Sequence, residues 1–112
     1  MTDRVVLKWA VSVDDTPHKI GGGEIVHVAC QYPEDPTTVT VWTVEPRNEG
    51  ARVLPRTVQV YGTGQPLPLF AQPLGSTVVA GGRLVWHLFW LPQADMHRTS
   101  TEVREPQPEE AR

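Results

Sequence analysis

An intramolecular disulfide is excluded at once: the 112-residue sequence holds one cysteine, Cys30, and one thiol cannot close a bridge. That economy suits a reducing compartment. No stretch is apolar for long enough to span a bilayer. The opening residues "MTDRVVLKWAVSVDD" lack the apolar run followed by small residues that a secretion signal needs. The expectation is a protein that stays in the cytoplasm where it is made and touches no membrane. A concentrated basic face is lacking too. Formal net charge is -3, and the bases from Arg4 to Arg83 are scattered. Nucleic-acid binders draw affinity from clustered bases that neutralise phosphates, so that partner class is disfavoured. No segment carries apolar residues at sustained spacings of three and four, which argues against a helical fold.

What is present is period-two alternation. In "RVVLKWAVSV" the residues Val5, Leu7, Trp9, Val11 and Val13 fall on one side, the pattern of a strand with one buried face. "HKI" reads as a short edge strand, and Gly21-Gly22-Gly23 turns the chain. "EIVHVACQY" alternates again, with Val26, Val28, Cys30 and Tyr32 on one side. "TTVTVWTVE" is dense in β-branched residues and is expected to pair with it as an antiparallel hairpin. "RTVQVYG" is a further strand. In "GSTVVAGGRLVWHLFWLP" two strands flank Gly81-Gly82, read as a two-residue hairpin turn in which glycine supplies positive φ. The run Leu84 to Leu91 is apolar on both sides, as a central strand would be. The reading is an all-β single domain, an antiparallel sandwich or barrel of about six or seven strands, over residues 1–92. Residues 93–112 carry five acids against three bases and almost no large apolar side chains. They are expected to form a disordered polar tail, dispensable for folding.

Candidate chemistry is sparse. Gly62-Thr63-Gly64 follows a strand, as in anion-binding loops, but "QPLPLF" comes next instead of a helix whose N-terminus would hold a phosphate. The glycines are read as a bend. Cys30 with His27 or His87 would make a nucleophile–base pair, yet Cys30 shares its face with valines and reads as a small buried hydrophobe. The four histidines, His18, His27, His87 and His97, lack the tight spacings of zinc ligands. The acids Asp14, Asp15, Glu34, Asp35 and Glu45 fall at strand ends or in loops, where turn formation accounts for them. Among the four tryptophans, Trp9 and Trp86 are expected in the core. Trp90 is expected either to be an exposed anchor or to close one end of the core.

The segments "EIVHVACQ", "TVTVWTVEP", "VQVYGTGQPLP" and "GSTVVAGGRLVWHLFW", in this order, resemble a family of small uncharacterised proteins encoded by phages of actinobacteria. The resemblance runs from Arg4 to Trp90 and rests on the "GTG-x-P-x-P" loop and the "GG-x-LVWH" hairpin. It implies a phage-encoded product acting in the host cytoplasm or built into a virion. It brings no catalytic residues with it. The leading expectation is a non-enzymatic module, without cofactor or metal, that binds a host or phage protein through Thr63, Gln65, Leu67, Leu69 and Trp90. The alternatives are a minor virion or assembly component and a small-ligand sequestering protein with the Gly-Thr-Gly loop as pocket wall; an enzyme is the weakest reading. Self-association stays open.

Overall fold

A computed structural model describes residues 3–48, 50, 53–96 and the short strand at 109–110. The strands are β1 (Arg4–Ser12), β2 (His18–Ile20), β3 (Glu24–Ala29), β4 (Thr38–Pro46), β5 (Arg56–Gly62), β6 (Gln72–Val79), β7 (Leu84–Trp90) and β8 (Glu109–Glu110), with one short helix, α1 (Pro92–Met96), between β7 and β8. They form two antiparallel sheets, in the orders β3-β4-β1-β8 and β2-β5-β7-β6. The molecule is a β-sandwich. The run that is apolar on both sides, β7, lies between β5 and β6.

The core follows from the alternation. Leu7, Trp9 and Val11 of β1 and Val39 and Val41 of β4 face inward from the first sheet. Ile20, Val58, Val60 and Leu88 meet them from the second. Each such aliphatic side chain contributes roughly 1.5–3 kcal/mol on full burial. Trp9 needs a partner for its indole N–H in that setting and donates it to Thr43 Oγ1 at 2.9 Å.

Alternation fails in β3. A bulge interrupts the register between Ile25 and His27, so two residues there occupy the space of one. Val26 is pushed outward and is 54 % exposed, while Ile25 and Val28 both pack on the core. Cys30 lies just beyond the strand and is half-buried, where the sequence reading expected a buried side chain. Its backbone N–H donates to Thr77 Oγ1 at 3.1 Å, and its thiol reaches the carbonyl of Tyr32 at 3.4 Å.

The β6–β7 connection is longer than two residues. Val79 pairs with Leu84, leaving Ala80, Gly81, Gly82 and Arg83 as the loop. Its first three residues have φ of 52°, 65° and 92°, and the Arg83 N–H closes on the Ala80 carbonyl at 3.3 Å. Side chains branched at Cβ resist that region of φ. Replacing Gly81 and Gly82 together by valine is expected to cost about 2 kcal/mol or more, read as a lower midpoint in urea.

The packed body continues past Pro92. Asp95, on α1, accepts hydrogen bonds from the Thr57 N–H (3.0 Å), Thr57 Oγ1 (2.6 Å), the Trp90 indole (2.9 Å) and Lys19 Nζ (3.0 Å). Asp95 thus ties α1 to β2, β5 and β7. The rest of the expected tail, from residue 97 to 108 and from 111 onward, lies outside the described residues.

Candidate functional site

The first site to build is the loop after β5. Gly62 to Gln65 is a turn closed by the Gln65 N–H on the Gly62 carbonyl at 3.1 Å. Gly64 takes φ of 91°, the left-handed conformation that glycine adopts without steric cost. The Gln65 side chain tightens the same turn, accepting the Gly62 N–H at 3.0 Å and donating to Asp15 Oδ1 at 3.3 Å. The chain then runs through two prolines, and the Ala71 N–H closes a second turn on the Pro68 carbonyl at 3.1 Å. From Leu67 through the second turn the large apolar side chains stay largely in water. Leu67 is 45 % exposed, Leu69 87 % and Phe70 54 %. Phe70 had no place in the sequence reading because no periodicity marks which loop residues face water.

Beside this loop lies an arrangement the sequence did not suggest. The His87 ring stands between two hydroxyls: Thr63 Oγ1 is 2.8 Å from Nε2 and Ser76 Oγ is 2.7 Å from Nδ1. Strand register explains half of it, because Ser76 is directly opposite His87. The turn at Gly64 supplies the other half. Thr63 therefore ties the turn to β7, a duty that the sequence reading did not give it. With both ring nitrogens bonded to hydroxyls, neither is committed to Cys30. His27 is elsewhere, tilted against Trp42 with ring centroids 5.5 Å apart.

The acids divide in two. Asp14 and Asp35 build turns, as their loop positions suggest. Asp14 Oδ1 accepts from the Thr16 hydroxyl at 2.7 Å and lies 2.9 Å from His18 Nε2, and these two contacts, His18 first, hold its carboxyl down at about 2. Thr37 and Thr38 lower Asp35 in the same way. Glu45 corrects the sequence reading, which placed it at a strand end as a turn former. It faces the core with no exposed surface; Oε2 accepts the Gly23 N–H at 2.9 Å, and Oε1 has no hydrogen-bond partner. Among the described residues no cluster of three His, Cys, Asp or Glu side chains is placed to hold a metal, and no helix is long and apolar enough to cross a membrane.

Trp90 lies apart from the other candidate residues. It pairs with Val58, whereas the loop begins at Gly62, opposite Trp86; four strand residues separate the two ends by about 13 Å. At the Trp90 end there is an open cleft of about 540 Å³, lined by Leu54, Pro55, Arg56, Trp90, Pro92 and Met96 together with Gly22 and Asp95. The Arg56 guanidinium lies 5.5 Å from the indole centroid. Asp95 forms part of the wall, yet its oxygens point at the strands. Burial pushes its carboxyl up, but the donors from Thr57, Trp90 and Lys19 outweigh that and hold it at about 2.

A family described as a domain of unknown function (DUF7352) matches residues 2–99, and the chain belongs to it. No curated protein and no solved structure matches the chain.

Proposed function

We propose that this family member is a non-enzymatic module that binds a protein partner through the loop from Thr63 to Phe70. The observation that carries the reading is the grouping of Leu67, Leu69 and Phe70, all exposed, on a loop closed by a hydrogen-bonded turn at each end. Exposed large apolar side chains set close together characterise contact surfaces more than free surfaces. Two prolines and two closed turns reduce the ordering entropy that a partner would otherwise have to offset. The resemblance to phage-encoded proteins extends the proposal: the partner is a host or phage protein met in the host cytoplasm. Gln65 has a structural task in this reading and Leu69 the larger contact.

The test uses tagged wild type and the Leu67→Asp, Leu69→Asp double variant, each exposed to lysate of an actinobacterial host. Both side chains already face water, so the variant is expected to melt within a few degrees of wild type. At least one protein retained by wild type should be lost. Capture of the same set of proteins by both would remove this loop as the contact surface.

A further inference from the structure

The cleft at the other end of the sandwich has a chemistry of its own. Its walls are apolar and its rim is formed by Leu54 and Met96, which are 73 % and 75 % exposed. A volume of about 540 Å³ is in the range of small-molecule sites, roughly 300–1,000 Å³. Its aspartate has a direct ionic partner and, among the described residues, its arginine does not. Asp95 is matched by Lys19 at 3.0 Å and saturated by three further donors. Arg56 has no carboxylate at ion-pair distance among the described residues. It uses Nη1 to hold the Gly23 carbonyl at 2.8 Å, while a guanidinium has five N–H donors. The Gly23 N–H in turn is held by the buried Glu45. Gly23 therefore holds the guanidinium through its carbonyl and is itself held by Glu45 through its N–H.

We propose that this cleft binds a small planar aromatic carboxylate, its ring against the Trp90 indole and the apolar rim, its carboxylate on the free N–H groups of Arg56. An apolar wall alone would take any hydrophobic group. A half-buried guanidinium 5.5 Å from an indole centroid favours a planar acid, because a carboxylate accepts two parallel N–H bonds from one edge of the guanidinium. A neutral ring of the same shape forfeits those charge-assisted bonds, and loss of such bonds costs about tenfold or more in affinity.

The experiment is a titration of the ¹⁵N-labelled full chain with 2-naphthoate and with 2-naphthamide, following the indole N–H signals. The expected result is a saturable shift of the Trp90 signal with 2-naphthoate and binding at least about tenfold weaker for the amide. Arg56→Gln should bring the acid down to the affinity of the amide. Because Arg56 also holds Gly23, that variant can lose stability, so Met96→Glu at the exposed rim serves as the second: it should keep the melting temperature and weaken the acid more than the amide. Equal affinity for acid and amide would overturn the assignment to Arg56. No Trp90 shift at millimolar acid, or shifts confined to His87 and the loop from Thr63 to Phe70, would overturn the site. The loop variant Leu67→Asp, Leu69→Asp should bind 2-naphthoate as wild type does, so failure of either site is visible separately.

Discussion

Asp95→Ala is expected to lower the unfolding free energy by about 2–3 kcal/mol at neutral pH, since four donors on Thr57, Trp90 and Lys19 lose their acceptor in a half-buried position. Cutting the chain after Pro92 removes the same acceptor and should cost at least as much. The effect has a pH signature with a definite sign. The folded carboxyl is held at about 2, below its ordinary 3.8, so the native state binds its proton less readily than the unfolded chain. Its contribution is then full above about pH 4 and is lost as pH falls towards about 2. A shift of this size corresponds to about 2 kcal/mol. Urea unfolding of wild type and Asp95→Ala should therefore differ at pH 7 and converge near pH 2. Asp14 and Asp35 are unchanged in both proteins, so the difference isolates Asp95. Equal midpoints at pH 7 would mean that α1 does not brace the sheet.

Gly23→Ala should be as damaging or worse. A Cβ at this position would lie 1.9 Å from the Val44 carbonyl oxygen and 2.8 Å from Glu45 Oε2. The first contact is with backbone inside a sheet, which cannot rotate away. Strand β3 would have to part from β4, at the upper end of the roughly 1–3 kcal/mol that overpacking costs, or beyond it. The same shift would move the residue whose carbonyl accepts from Arg56 and whose N–H donates to Glu45. Gly50→Ala is the control: its nearest neighbour would be Asn48 Oδ1 at 3.4 Å, and it should unfold within a few tenths of a kcal/mol of wild type, as exposed loop substitutions do. If Gly23→Ala unfolded at the wild-type urea concentration, the close approach of β3 to β4 at this point would be refuted.

The candidate sites were legible in unequal measure. Gly62-Thr63-Gly64 is a bend, and the residues suffice to say so, because a glycine pair followed by alternating prolines has few other outcomes. The same stretch does not say that Thr63 reaches His87, or that Ser76 reaches it from the other side, since those contacts span 24 and 11 residues. Trp90 was recognisable as a candidate anchor. Its setting was not, because Leu54, Arg56 and Met96 come to it from separate parts of the chain.

Local alternation, β-branched density and glycine turns indicated the all-β class and the places of the strands from β1 to β7, and in β1 alternation also gave the inward-facing residues, because side chains on a strand must take turns between its faces. Turn chemistry located the β6–β7 hairpin, although its loop proved to be two residues longer than a minimal turn. Tertiary structure alone decided the rest. The bulge in β3 reversed which side Val26 faces. Glu45 became a core residue instead of a turn former. Gly23, which reads as part of a glycine turn, takes no positive φ and is glycine because a carbonyl from β4 occupies the space of a Cβ. Asp95, which reads as part of a polar tail, holds three strands together. In each case the deciding partner is far away in the chain. The energy lies in a contact formed only after the two sheets have closed on each other, and a pattern of neighbouring residues carries no record of it.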